Sequence, residues 1–183
     1  MYTLRVKGEQ VSTPVWYELM RRKPTARTIL EWAGVYTPPV DVVAIANMMG
    51  VSTVLNHRLP RDISGNIRFY DNPLSAKISI KPNDPLVRQR FTVAHELGHL
   101  FLHHDPKGHE DRSFSGTPKE REANAFAANL LVPMWMLDPL IMQYGTDAKA
   151  VEKLADIFKV SKDTMRFRME KWGGSLREWN GNY

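Results

Sequence analysis

The sequence predicts an α+β fold, mostly helical, with a small antiparallel three-stranded sheet in its first half. Three observations carry that reading. Short segments rich in β-branched and aromatic residues cluster between residues 51 and 80, and apolar residues recur at helical spacing from residue 84 onward. Prolines mark the joints: Pro38 and Pro39, Pro60, Pro82 and Pro85, Pro118, Pro133 and Pro139. No internal repeat or low-complexity stretch interrupts this order.

Met1 to Leu30 show no period that places them. Asp41 to Met49 reads as a helix, with Asp41 as N-cap, Val42, Ile45, Ala46 and Met49 on one face, and Gly50 in the stop position. Val51–Asn56, Gly65–Tyr70 and Ala76–Ile80 are the strands, separated by turn chemistry at Asp62 to Gly65 and Asp71 to Pro73. A long helix runs from Asp84 or Pro85 through Phe91, Val93, Ala94, Leu97 and Leu100 to about Leu102, closed by Pro106 and Gly108. After a polar loop with His109, Glu110, Asp111 and Gly116, a second helix starts at Thr117 and Pro118 and ends before Pro133. Leu137–Gln143, Asp147–Phe158 and Lys162–Trp172 read as further helices, and Gly173–Gly174 release a loose tail.

A chain of 183 residues, 43% of them apolar, can bury one core, so a single domain over 1–183 is expected. With no cysteine, disulfides, thiolate metal sites and thiol nucleophiles are excluded, and a reducing cytoplasm is the expected home. Arg5, Lys7 and Glu9 break up the opening residues, and no segment has the roughly 18 uninterrupted apolar residues that span a bilayer, so no membrane role is expected. The net charge of +5 allows an acidic partner but does not choose one, because the basic residues are scattered among 20 acidic ones.

In His95-Glu96-Leu97-Gly98-His99, the two histidines are four residues apart, so on a helix they leave one face and can share a Zn²⁺. Glu96 beside them can activate a water molecule and take its proton, while the metal lowers the pKa of that water and stabilises an oxyanion. The five-residue pattern arises by chance in about one chain in a hundred of this length, so its context matters. A third ligand must come from elsewhere. Glu120, Asn124, Ala127 and Leu131 share one face of the second helix, which favours Glu120, with Asn124 placed to orient a liganding histidine. Glu122 aligns instead with Phe126 and Asn129 and remains the alternative. His103 continues the spacing, but successive positions four apart lie about 6 Å apart along the axis, so His95 and His103 do not close easily on one ion. His103 is expected near the cleft; His57, His104 and His109 read as polar surface.

Two long stretches resemble a known family. They are Arg90-Phe91-Thr92-Val93-Ala94-His95-Glu96-Leu97-Gly98-His99 with Leu102-His103, and Glu120-Arg121-Glu122-Ala123-Asn124-Ala125-Phe126-Ala127-Ala128-Asn129-Leu130-Leu131-Val132-Pro133. In this order they are similar to the ImmA/IrrE metallopeptidases. The likeness extends to Asp62-Ile63-Ser64-Gly65, Leu154-Ala155 and Val160-Ser161, and covers roughly Val40 to Trp172. One departure is Val132, where methionine is common.

The resemblance implies a minimal zincin-like fold, one zinc per chain held by His95, His99 and a glutamate matching Glu120, and Glu96 as catalytic base. It divides the chain into an N-terminal segment (1–39), a zincin-like core (40–135), a C-terminal helical, helix-turn-helix-like part (136–172) and the tail (173–183). It implies a protein substrate or partner, a helix-turn-helix repressor or an antitoxin, in prophage, mobile-element or stress-response regulation. By the same analogy Ala76–Ile80 would edge the cleft and pair with an extended peptide. For the group that protonates the leaving amine, or for a second oxyanion donor, Tyr70, His103 and Tyr144 are the candidates, Tyr70 with His103 bordering the cleft.

DNA binding is the rival reading. Leu154-Ala155, Phe158, Val160-Ser161 and Met165 have helix-turn-helix spacing, and Arg166, Arg168 and Lys171 could meet phosphates. Lys159 holds the turn place that favours glycine, and such stripes more often pack on a core, so packing is preferred.

Overall fold

The computed structural model describes residues 2–6, 9–71, 74–103 and 117–179, with side chains over 13–70, 74–102 and 117–172. The segment without a clear sequence period forms an antiparallel hairpin, β1 (Tyr2–Val6) with β2 (Glu9–Thr13), then α1 (Val15–Arg21) and α2 (Ala26–Ala33). Helices of seven and eight residues make barely two turns, too few for a period to show. They still feed the core, where Trp16, Ile29 and Leu30 are fully buried. Next, α3 (Val42–Met48) starts where expected, because the Asp41 carboxylate accepts the Ala44 N–H at 3.0 Å. Gly50 follows with a φ of 84°, which an L side chain rarely adopts.

The sheet holds β3 (Val51–Leu55), β4 (Gly65–Asp71) and β5 (Leu74–Ile80) in the order β3-β5-β4. It has three strands, as expected, but is mixed rather than wholly antiparallel. β4 and β5 pair antiparallel, with Ile67 opposite Ile78, whereas β3 pairs parallel to β5 from Val51 opposite Ala76 to Leu55 opposite Ile80. The short link between β4 and β5 enforces the hairpin, while residues 56–64 are long enough to carry β4 past a vacant lane. That lane goes to β5, whose Ala76, Ile78, Ser79 and Ile80 are buried. Ala76–Ile80 is therefore the central strand, and β4 takes the edge expected of it.

On one face of the sheet lies α4 (Leu86–His103), burying Val93, Ala94, Leu97, Leu100 and Phe101. α5 (Pro118–Leu131) is capped by Thr117, whose hydroxyl accepts the Glu120 N–H at 3.2 Å, with Pro118 in the first turn. Two close approaches clamp α4. A Cβ on Gly98 would lie 3.0 Å from Ala123 Cα of α5, and one on Gly65 of β4 would lie 2.3 Å from Thr92 Cγ2 of α4. α4 therefore touches α5 backbone to backbone on one side and meets the start of β4 on the other.

α6 (Met134–Tyr144), α7 (Ala148–Phe158) and α8 (Lys162–Trp179) complete the chain. α6 begins three residues earlier than expected, directly after Pro133, and α8 runs through Gly173–Gly174 to Trp179 instead of loosening there. The good helix formers Leu176, Arg177 and Glu178 carry it past the glycine pair. The helix-turn-helix-like stripe is core: Leu154, Phe158 and Met165 are fully buried. Arg168, a candidate phosphate contact, is buried and donates through Nε to the Val132 carbonyl at 2.9 Å beside the Asp138 charge, so it is not available to DNA. Arg90 ties the α7–α8 turn to α4, donating to the carbonyls of Val40 at 2.7 Å and Lys159 at 3.1 Å. Among the described residues no single helix is long and apolar enough to cross a membrane; α5 and α6 pass that test only together, and they are bent by 63°.

The Gly98 contact makes a test. Gly98→Ala brings a better helix former, worth about 1 kcal/mol, but forces a methyl against Ala123 backbone that cannot rotate away, at about 1–3 kcal/mol. A net loss of about 1 kcal/mol in a denaturant titration is expected; a raised midpoint would show that the two helices separate freely.

Candidate metal centre

His95 and His99 leave α4 on one face, one turn apart, with ring centroids 4.6 Å from each other and Nε2 atoms 2.9 Å apart. Glu120, in the first turn of α5, reaches across the Gly98 contact: Oε2 lies 3.3 Å from His95 Nε2 and Oε1 lies 2.8 Å from His99 Nε2. All three donor atoms fall within 4.8 Å of one another. Ligands about 2.0–2.1 Å from a tetrahedral zinc stand about 3.3 Å apart, so this triangle has the size of three corners around one ion.

The donor chemistry also fits. His95 Nδ1 lies 2.9 Å from Asn124 Oδ1, an acceptor, so Nδ1 carries the proton and the Nε2 lone pair faces the cluster. Burial holds the His95 pKa below its ordinary value, against the opposing pull of Glu120 and Asn124, which favours neutral imidazole. Glu120 Oε1 is buried and accepts no hydrogen bond of good geometry. A cluster of lone pairs with an orphaned carboxylate oxygen is what a cation would satisfy. The side chains are 12–16% exposed, so the centre is enclosed but reachable.

Glu96, next to His95 on α4, is 7% exposed and accepts the backbone N–H of Ile67 on β4. Burial, then the Glu120 charge, push its carboxyl up to about 8, against the pull of that N–H.

The structure thus gathers His95, His99, Glu120 and Asn124, with Glu96 alongside, while Glu122 is exposed elsewhere on α5. Tyr70 is a correction. The pleat turns Ile67 and Phe69 to the core and Tyr70 to the opposite face, where it is 42% exposed beneath the Lys77 ammonium, 5.6 Å from the ring centroid. It does not border the cluster. Tyr144 ends α6, with Lys153 Nζ 5.8 Å from its ring centroid. His103 is the last residue of α4; its side chain, and His104 and His109, lie outside the described residues. Sequence reasoning did not find the Ile67 amide, since a backbone donor leaves no signal in residue type. The glycine at 65 was the available hint that β4 approaches α4 closely.

The Peptidase_M78 family, described as the IrrE N-terminal-like domain, matches residues 45–170. The chain belongs to the IrrE N-terminal-like domain family. Its members are zinc metallopeptidases, and the match covers every residue of the candidate centre. No curated protein matches the chain. Among solved structures, a Mycobacterium tuberculosis transcriptional regulator is similar in fold, with a TM-score of 0.55 and 18% identity over 81% of this chain. This IrrE-like chain spans 45% of that regulator's length, and a likeness at this identity shows the fold alone.

Glu96 makes a pH test. A carboxyl raised to about 8 favours the fold while protonated, so its contribution is full below the ordinary range near 4.5 and is lost as pH rises towards 8. In metal-free protein, the stability of Glu96→Gln relative to wild type is therefore expected to grow between pH 5 and 8, by up to about 1.4 kcal/mol per pH unit. A gap that stays constant across that range in paired denaturant titrations would contradict the burial of Glu96.

Proposed function

We propose that this chain is a zinc-dependent endopeptidase that hydrolyses one specific protein, a helix-turn-helix transcriptional repressor, in the cytoplasm, within the regulation of a prophage, mobile element or stress response. The observation that carries the reading is the convergence of two imidazoles and a carboxylate beside a second, protonatable carboxyl. His95, His99 and Glu120 would hold the metal, and Asn124 would orient His95. When bound, zinc lowers the pKa of water and stabilises the negative charge on the oxygen of the attacked carbonyl. Glu96 would take a proton from the attacking water as the C–O bond forms, and would return it to the leaving amine as the C–N bond then breaks. The Ile67 N–H keeps the Glu96 carboxylate aimed during that exchange.

The family and the fold likeness to a transcriptional regulator are in keeping with a regulatory protein as substrate. β4 rather than β5 offers the edge on which an extended segment could pair beside the centre. Buried Arg168 gives the competing DNA-binding tail no support.

The test is cleavage of the repressor encoded beside this chain by zinc-loaded enzyme. Discrete products are expected from wild type and from Glu122→Gln, with the rate in Glu96→Gln reduced by about 10²–10⁴-fold. Undiminished cleavage by Glu96→Gln would remove Glu96 from the reaction.

A further inference from the structure

The face of α4 that carries His95 and His99 continues towards the start of the helix, where Arg88 lies on it. At about 100° per residue, Arg88 falls about 20° from His95 around the helix, between the two histidines, and about 10.5 Å from His95 along the axis. β4 runs beside this helix in the same direction: Gly65 meets Thr92, and the Ile67 N–H reaches Glu96. That step is about 6 Å on either element. One further step back brings Arg88 level with the residues just before Gly65, and Arg88 Nε donates to Ser64 Oγ at 3.1 Å. Arg88 therefore stands at one end of the cleft between α4 and the edge of β4, in line with the histidines. That end is cationic. Arg58, Arg61 and Arg88 are exposed, and Lys81 is drawn in by two bonds, from Nζ to the Arg61 carbonyl at 2.7 Å and from its N–H to the Ser64 carbonyl at 2.8 Å. Residues 56–64 and 81–88 set these four cations against two carboxylates, Asp62 and Asp84. Asp84 approaches Arg88 on one edge only: its Oδ2 lies 3.6 Å from Nε, beyond hydrogen-bond length, and its side chain is 17% exposed where that of Arg88 is 65% exposed. Nε is thus tied to Ser64, and among the described residues neither Nη meets an acceptor, so the guanidinium presents its outer fork to solvent.

We propose that Arg88 binds a carboxylate side chain of the protein substrate, which makes the chain selective for an aspartate or glutamate about three residues from the cleaved bond; the inference rests on the reading of His95, His99 and Glu120 as a peptidase centre. Two N–H donors in one plane match the two oxygens of a carboxylate, and a guanidinium already held through Nε has less freedom to lose on binding one. An extended peptide advances about 3.3 Å per residue, so a distance of about 10.5 Å corresponds to about three residues. A substrate segment pairing antiparallel with β4, the more stable arrangement per residue, runs from the His99 end of the cleft to the Arg88 end. The selected acid then lies on the C-terminal side of the cleaved bond.

The test measures binding rather than turnover, by anisotropy, with the zinc-loaded full chain and fluorescein-labelled alanine-rich peptides that carry a succinyl hydroxamate at the N-terminus. The hydroxamate chelates metal and leaves the peptide to extend on its C-terminal side; a second series with the hydroxamate at the C-terminus covers the opposite pairing direction. Each series holds aspartate, asparagine or lysine at the third residue from the chelating group. In the first series wild type is expected to bind the aspartate peptide about 2- to 5-fold more tightly than the asparagine peptide, the scale of an exposed ion pair, and the lysine peptide more weakly than either. Arg88→Gln should bring the aspartate-to-asparagine ratio to one, Arg88→Glu should turn the preference to lysine, and Ser64→Ala, which frees Nε, should lower the ratio. The ratio is taken within each protein, so a general loss of affinity cannot imitate it. An Arg88-dependent preference for aspartate in either series supports the proposal. Equal binding of aspartate and asparagine peptides by wild type in both series would overturn it and leave the peptidase reading standing, as would a preference that survives in Arg88→Gln. Failure of every hydroxamate to bind would overturn the metal centre and the proposal together.

Discussion

Everything at the candidate centre depends on α4 being held close to its neighbours on two sides, backbone to backbone against α5 and through the Thr92 side chain against β4. Two histidines one turn apart supply only two corners of a coordination polyhedron, and the third must arrive from another element on a side chain of limited reach. Glu120 closes the triangle because Gly98 lets α4 settle onto Ala123 of α5. On the other flank, Gly65 lets β4 approach Thr92 closely enough for the Ile67 amide to reach Glu96. A side chain at either glycine would spread α4 from one neighbour, and the donor set would open with it. Arg90 adds a third restraint by fastening the same helix to Val40 and to the α7–α8 turn.

The electrostatics follow from that enclosure. Burial lowers the His95 pKa although Glu120 and Asn124 pull it up, and burial followed by the Glu120 charge raises the Glu96 carboxyl to about 8. A dication would reverse these preferences, pulling the Glu96 carboxyl down and satisfying the Glu120 oxygen that has no hydrogen bond. The centre is thus a place where stability has been given up for chemistry, as is common where titratable groups are buried close together.

Much of this is legible in residue order. The Asp41 cap, the long helix carrying His95 and His99, and the phase that sets Glu120 and Asn124 on one face of α5 are local properties, read from spacing and capping chemistry. The lane order of the sheet is not, because it depends on which strand occupies the vacant lane left by residues 56–64, a choice made by packing. The alternation of Ile67, Phe69 and Tyr70 already implies that Tyr70 lies on the face opposite the other two. Arg168 resembles a surface cation and proves to be a buried donor to Val132, a partner 36 residues away that no local pattern reveals.

The most direct measurement is zinc content by elemental analysis after reconstitution, in wild type beside Glu120→Gln, Glu122→Gln and Glu96→Gln. The account predicts about one zinc per chain in wild type, Glu122→Gln and Glu96→Gln, and its loss in Glu120→Gln. A wild type that takes up no zinc, or a Glu120→Gln protein that stays fully loaded while Glu122→Gln empties, would contradict it.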